Sequence, residues 1–317
     1  MKAVIIAMII LIIGFVLLIK GADFFVEGSS AVAKMLRVPS IIIGLTVVAM
    51  GTSLPECAVS VTASLGGNNE LAVSNAIGSN IFNLMVVCGA CALFVPLKVH
   101  LSTLKKEFPF SVSCAALLLI LGYLGMQLGR LDGILLLVIF AAYLVWMVLS
   151  AKRARAEAEG LVEEEDFKSL PVWKALLFIV GGAVAIKFGG DFVVDGASVI
   201  AEKAGMSQTL IGLTIVALGT SLPELVTSIV AARKNEVDMA VGNVVGSNIF
   251  NLLLVLGIAG TISPITFLME NIIDIGILIG MSVLVWIFAW RTSDIRRGEG
   301  AVLLTLYAAF VVYIGLR

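Results

Sequence analysis

The hexapeptide GTSLPE occurs twice, at Gly51–Glu56 and at Gly219–Glu224. Two further landmarks repeat at the same interval: GSNIFNL begins at Gly78 and Gly246, and Gly-x-Asp-Phe begins at Gly21 and Gly189. One gapless offset of 168 residues joins all three pairs, so the chain is an internal duplication. Whatever chemistry it performs is then built from both copies, because the halves of such a protein meet where the function sits.

The medium in which the two copies fold follows from composition. Of the 317 residues, 60% are hydrophobic and 14% charged, and the mean hydropathy is +1.11. A soluble domain cannot hide that much apolar surface, so the sequence specifies a polytopic, all-α membrane protein whose first partner is the lipid bilayer. The formal charge of −1 gives no handle for nucleic acid. Apolar runs and their breaks predict helices over 3–33, 40–65, 71–95, 108–125 and 131–150, repeated over 171–203, 208–232, 239–262, 272–290 and 299–316. These make ten transmembrane helices in two sets of five, a first repeat in 1–150 and a second in 171–317. The stretch Lys152–Lys168, dense in charge, reads as a solvated linker within 151–170. Five is odd, so the second copy enters the membrane from the opposite face and the two repeats are inverted.

Lysine and arginine set the orientation. One set of connections holds fourteen of them, including Lys105, Lys106, Lys152, Arg233 and Lys234; the other set, termini included, holds Lys2, Arg130, Lys203 and Arg317. The positive-inside rule places the linker in the cytoplasm and both termini outside. The N-terminal apolar stretch is long for a signal peptide and no A-x-A site follows, so it reads as a retained first helix. Cys57, Cys88, Cys91 and Cys114 lie in apolar helical context without other ligands, and His100 reads as a solvated loop residue.

Chemistry concentrates in the duplicated motifs. Pro55 removes a backbone donor, so the second helix is expected to kink or break there and leave carbonyls without intrahelical partners. In hydrocarbon such groups are costly, whereas around a dehydrated cation they are ligands. Thr52 and Glu56, four apart, share a helix face beside them; Thr220, Pro223 and Glu224 repeat the arrangement. Two intramembrane glutamates repel unless a proton or a cation sits between them, and carboxylate, carbonyl and hydroxyl oxygens suit Ca²⁺ and Na⁺ better than transition metals. The next helix carries Asn75, Ser79 and Asn83 at i, i+4 and i+8, repeated as Asn243, Ser247 and Asn251, while Gly78 and Gly246 read as close-packing positions. A second acidic set, Asp23, Glu27, Asp191 and Asp195, has Lys20 and Lys187 within one turn of its first members, so intrahelical pairing explains it as well as an ion entrance does.

GLTVVAMGTSLPE with GSNIFN, and GLTIVALGTSLPE with GSNIFN, resemble the two α-repeats of the cation/calcium exchanger superfamily, in its prokaryotic sodium/calcium exchanger branch. The resemblance spans nearly the whole chain. It implies a central ion site on helices two, three, seven and eight, with helices one and six sliding past it. It implies that Glu56 and Glu224 coordinate Ca²⁺ and share in binding Na⁺. Thr52 and Thr220 would add backbone carbonyls, and Ala49 and Ala217 carbonyls to flanking Na⁺ sites. Ser53, Ser79, Asn83, Ser221, Ser247 and Asn251 would complete the polar shell. Asn251 stands where some relatives have an aspartate associated with potassium dependence, which argues against K⁺ coupling.

The sequence therefore reads as a secondary antiporter exchanging Na⁺ for Ca²⁺ across a prokaryotic plasma (inner) membrane and extruding Ca²⁺, with no cofactor and no obligatory protein partner. A Ca²⁺/H⁺ antiporter, in which protons neutralise the same glutamates, and a cation channel are the alternatives. No nucleophile–base set accompanies the glutamates, which argues against an enzyme.

Overall fold

The structure, a computed structural model, describes residues 2–159, 170–206, 211, 215 and 217–316. Helix α1 (Lys2–Leu36) is followed by a broken second segment, α2 (Ser40–Thr52) and α3 (Leu54–Leu65), whose axes meet at 48°. Helix α4 (Asn69–Phe94) leads through strand β1 (Leu97–Lys98) and the short α5 (Leu101–Lys105) to α6 (Glu107–Tyr123). Strand β2 (Gln127–Leu128) and α7 (Arg130–Glu159) close the first half. The second half runs α8 (Val172–Lys203), a turn at Ala217–Gly219, α9 (Leu222–Arg233), α10 (Val237–Ile262), strand β3 (Ile265–Thr266), α11 (Met269–Thr292), strand β4 (Asp294–Ile295) and α12 (Arg297–Leu316).

Among the described residues, seven helices are long and apolar enough to cross a membrane, and the bent α2–α3 pair makes an eighth span. Helix α6 follows the expected 108–125 closely, at 17 residues. The expected helix 208–232 begins within residues outside the description, as does the linker from 160 to 169. One boundary is corrected. Lys152–Glu159, expected as linker, continues α7 as helix, because Lys-Arg-Ala-Arg-Ala-Glu-Ala-Glu combines charge with strong helix formers.

Burial sorts the spans. In α4 and α10 the most apolar stretch is 72% and 78% buried, against 17% to 28% in the other unbroken spans, so these two helices form the centre and the rest face lipid. The halves are stitched to one another at both ends of the bundle: β1 pairs antiparallel with β4 and β2 with β3, each strand taking its partner from the other half.

Helices α1 and α8 lie antiparallel along a seam of small residues. A Cβ at Gly14 would meet the Gly189 carbonyl at 2.9 Å, one at Gly21 the Gly182 carbonyl at 3.0 Å, and one at Gly28 the Ala175 carbonyl at 2.7 Å. A Cβ at Gly196 would likewise meet the Ala7 carbonyl at 2.7 Å. Small residues at Ala7, Gly14, Gly21 and Gly28 recur every seventh position, as do Ala175, Gly182, Gly189 and Gly196, so backbone meets backbone along four levels. Gly246 also packs closely, its Cβ position 2.7 Å from the Leu45 carbonyl. The packing role expected for Gly78 is not seen, since among the described residues nothing comes within 4 Å of that position.

Candidate functional site

Each GTSLPE motif builds the same break. Ser53 leaves the helix with φ −87° and ψ 8°, Ser221 with φ −95° and ψ 4°, and a new helix starts with the proline in its first turn. A proline there loses no hydrogen bond, since the first amides of a helix lack partners anyway. The chain therefore breaks at the serine two residues before the proline, rather than at the proline itself. Glu56 and Glu224 fall in the first turn of α3 and α9, where the positive end of the helix dipole favours a carboxylate.

The breaks face one another, and their hydrogen bonds cross between halves. Ser53 Oγ donates to Glu224 Oε1 at 2.8 Å, and Ser221 Oγ donates to Glu56 Oε1 at 3.2 Å. Ser221 Oγ also lies 3.1 Å from Ser79 Oγ. Both glutamates are fully buried and close enough to interact electrostatically. Asn75 and Asn243 secure the backbone below them: Asn75 Nδ2 donates to the Glu56 carbonyl at 3.2 Å and to Ser60 Oγ at 3.0 Å, while Asn243 Nδ2 reaches the Glu224 carbonyl at 3.5 Å and Ser228 Oγ at 2.9 Å. Thr52 Oγ1 donates to Asn243 Oδ1 at 3.1 Å. The polar stripe thus divides: its first asparagine holds the broken backbone, and in the first half its serine meets Ser221, the serine that also bonds Glu56.

Five buried oxygens of this cluster and the next turn have no hydrogen-bond donor: Glu56 Oε2, Glu224 Oε2, Asn83 Oδ1, Asn251 Oδ1 and Ser247 Oγ. A buried acceptor left unpaired costs about 1–3 kcal/mol, and a carboxylate oxygen more. Apart from the serine, they fall into pairs related by the 168-residue offset. A hard cation satisfies such a set, because it needs only lone pairs. Among the described residues no three His, Cys, Asp or Glu side chains converge as a metal-holding group, so the set carries two carboxylates and otherwise neutral oxygens.

The remaining expected ligands are placed less uniformly. Thr220 is half-buried, whereas Thr52 is buried. The Ala49 carbonyl accepts the Ser53 amide at 3.0 Å and lies 3.4 Å from Thr52 Oγ1, and Ala217 begins the helical turn before the second break. Asn83 and Asn251 join a separate hydrogen-bond set with Asn80 and Asn248, two residues the sequence reading passed over.

The family described as sodium/calcium exchanger protein matches residues 6–149 and 174–316, nearly the whole chain. The chain belongs to the sodium/calcium exchanger family. CaxA of Alkalimonas amylolytica is 40% identical, over 96% of this chain and 97% of its own length. Sodium/calcium exchanger MaX1 of Methanosarcina acetivorans is 31% identical, over 96% and 97%. The inner membrane protein YrbG of Escherichia coli K12 is 36% identical, over 97% and 95%. The sodium-calcium exchanger NCX_Mj, soaked with 2.5 mM Na⁺ and 0.1 mM Ca²⁺, superposes with a TM-score of 0.84 at 33% identity, covering 97% of this chain and 98% of that one. The protein is therefore a membrane cation exchanger of the prokaryotic branch and not an enzyme, and Na⁺ and Ca²⁺ are the ions its family exchanges.

In this exchanger the surroundings of the two breaks differ between the two faces. A cavity of about 730 Å³ lies between α3 and α8, lined by Pro55, Thr62, Asn68, Asp191, Thr220 and Pro223 among others, and it ends against both breaks. On the opposite face α1 packs against α9. There Lys234 Nζ lies 3.5 Å from Asp23 Oδ1 and 3.7 Å from Glu27 Oε2, and donates to the Asp23 carbonyl at 2.9 Å. Glu236 accepts from Ser40 Oγ at 2.8 Å and from Ser30 Oγ. The expected intrahelical pairs also form, Lys20 with Asp23 at 3.8 Å and Lys187 with Asp191. His100 is exposed as expected, but its Nε2 meets Asp238 Oδ2 at 2.9 Å across the halves.

Proposed function

We propose that this exchanger moves Ca²⁺ against Na⁺ by alternating access, extruding Ca²⁺ from a prokaryotic cell across its plasma membrane. In this reading ten helices form two inverted five-helix repeats, 1–150 and 171–317, joined by a cytoplasmic linker over 151–170 whose first residues are the helical end of α7, with both termini extracytoplasmic. The antiparallel α1–α8 seam and the cross-half strand pairs support inversion. With that topology, the cavity beside Gly66 and Asn68 opens to the extracytoplasmic face and the Lys234 face is the closed cytoplasmic one.

The observation that carries the reading is the crossed serine–glutamate pair with its donor-free oxygens. Glu56 and Glu224 are the two charged ligands, matching one Ca²⁺. Ser53, Ser79, Ser221, Ser247, Asn83 and Asn251 supply neutral oxygens, and the carbonyls of Ala49, Thr52, Ala217 and Thr220 complete the shell. Na⁺ competes for the same oxygens, and each occupied form is neutral enough to be sealed from water while the access side changes. A proton would need only a carboxylate, whereas a dehydrated Na⁺ needs several oxygens in place of its water; the surplus of neutral oxygens favours Na⁺. NCX_Mj, the exchanger this chain superposes on, was soaked with Na⁺ and Ca²⁺, which favours the same pair of ions.

Uptake of ⁴⁵Ca²⁺ into Na⁺-loaded proteoliposomes tests the coupling. It is expected to collapse when internal Na⁺ is replaced by choline at constant pH, with no recovery from a proton gradient alone. Uptake driven by pH and indifferent to Na⁺ makes the protein a Ca²⁺/H⁺ antiporter instead.

A further inference from the structure

The GSNIFN copies contain one asparagine each that the ion site does not use. Asn80 and Asn248 are buried, 168 residues apart, and each reaches across to the other's helix. Asn80 Nδ2 donates to the Asn248 carbonyl at 3.1 Å, and Asn248 Nδ2 to the Asn80 carbonyl at 3.2 Å. A backbone carbonyl can only accept, so this contact decides which end of each amide is nitrogen. The oxygens must then occupy the other edge. There Asn80 Oδ1 accepts from Asn251 Nδ2 at 3.1 Å, and Asn248 Oδ1 accepts from Asn83 Nδ2 at 3.2 Å.

The polarity propagates one step further. If Asn251 or Asn83 turned its amide over, two oxygens would face each other in a buried site. Their nitrogens are therefore committed, and Asn83 Oδ1 and Asn251 Oδ1 are left buried without a donor. An amide free to turn would present N–H to a cation as readily as oxygen, and only the oxygen binds one. All four residues sit where α4 and α10 pass from α-helical to π-helical hydrogen bonding, at Asn83–Val87 and Asn251–Val255. Such π turns shift side-chain register locally and recur at functional sites.

We infer that Asn80 and Asn248 are positioning residues, which lock the amides of Asn251 and Asn83 so that each offers oxygen to the transported cation. The inference rests on the proposal that Asn83 and Asn251 belong to the ion site. An aspartate at 251 has no amide polarity to set and turns an oxygen toward Asn80 Oδ1, so in that background Asn80 orients nothing and its removal relieves a repulsion.

The test is a double-mutant cycle on purified full-length exchanger in proteoliposomes, read as the Ca²⁺ concentration giving half-maximal Na⁺-driven uptake. Asn80→Ala is expected to raise it about tenfold, the worth of one lost ligand interaction, while the maximal rate changes less. In an Asn251→Asp background, adding Asn80→Ala is expected not to raise it. Asn248→Ala with Asn83→Asp repeats the cycle in the other half, should Asn80→Ala fold poorly. Equal losses from Asn80→Ala in both backgrounds would make the asparagine pair a helix tie only and overturn the inference, leaving the ion site intact. An Asn251→Ala variant with unchanged half-saturation would remove Asn251 from the ion site and overturn both.

Discussion

The two faces of this exchanger are built from the same motifs and are in different states. On the Lys234 face, α1 lies against α9, Lys234 bridges Asp23 and Glu27, Glu236 takes two serine hydroxyls, and Thr52 behind them is buried. Subtracting the repeat offset gives the corresponding positions on the other face: Gly66 in place of the lysine and Asn68 in place of the glutamate. There Asp191 pairs with Lys187 on its own helix, and a cavity stands between α3 and α8 with Thr220 on its wall. The duplicated residues meet at the centre, where Ser53 and Ser221 bond to the glutamates of the opposite half. The residues that differ between the copies are where the two faces part: Lys234 and Glu236 on one, Gly66 and Asn68 on the other.

The sharpest way to break this comparison is at the centre, where the halves should count equally. Glu56→Gln and Glu224→Gln are each expected to reduce Na⁺-driven Ca²⁺ uptake at least a hundredfold while the protein still folds, since each removes one of two charged ligands and a carboxylate oxygen from a shared site. Gel filtration checks folding, and vesicle flux reads the loss. One variant transporting at nearly wild-type rates while the other fails would mean that the crossed pair is not a single site.

The meeting of the two motifs was legible from the sequence, because a gapless offset joins them and the apolar runs locate the helices that carry them. What escaped reading is what no periodicity announces. Asn80 and Asn248 were passed over because an i, i+4 stripe counts one helix face, and these residues stand one position round from Ser79 and Ser247, facing the partner helix. The π turns depend on hydrogen-bond register, which composition does not encode. The glycine seam was there to be read, at Gly14, Gly21 and Gly28 and again at Gly182, Gly189 and Gly196, but a period of seven small residues is easily lost in an apolar helix. Charge misled once, at Lys152–Glu159, where the helix expected to end at 150 runs on into the charged stretch. Pairing of Asp23 with Lys234 joins residues 211 apart and could not be foreseen from Lys20 nearby.

A second prediction sharpens the comparison by reading access directly. In a background lacking Cys57, Cys88, Cys91 and Cys114, Thr220→Cys is expected to react with a membrane-impermeant thiol reagent from the extracytoplasmic side, through the cavity it lines. Thr52→Cys, behind the closed face, is expected to react from either side at least tenfold more slowly. Rates are the measurement, with mass spectrometry to confirm the labelled residue. Equal rates from one side would mean that the two faces are equally open.

The smallest effect expected is at the closed face itself. Lys234→Gly gives that face the residue the open face already has at the matching position, Gly66, and removes the bridge to Asp23 and Glu27 together. The three side chains are partly exposed, 34%, 33% and 48%, so water screens them, and pairs of this kind contribute at most about 1 kcal/mol. The hydroxyl contacts of Glu236 and the packing of α1 on α9 remain, so the face loosens without opening outright. Labelling of Thr52→Cys from the cytoplasmic side is therefore expected to quicken by about two- to fivefold in the Lys234→Gly background, and labelling of Thr220→Cys to slow correspondingly, because one population gains what the other loses. Raising the salt concentration should narrow the difference between Lys234 and Lys234→Gly proteins, since screening already weakens the bridge in the wild type. A change in Thr52→Cys labelling with none at Thr220→Cys would show that the bridge only holds α1 locally and does not bias the exchange between faces.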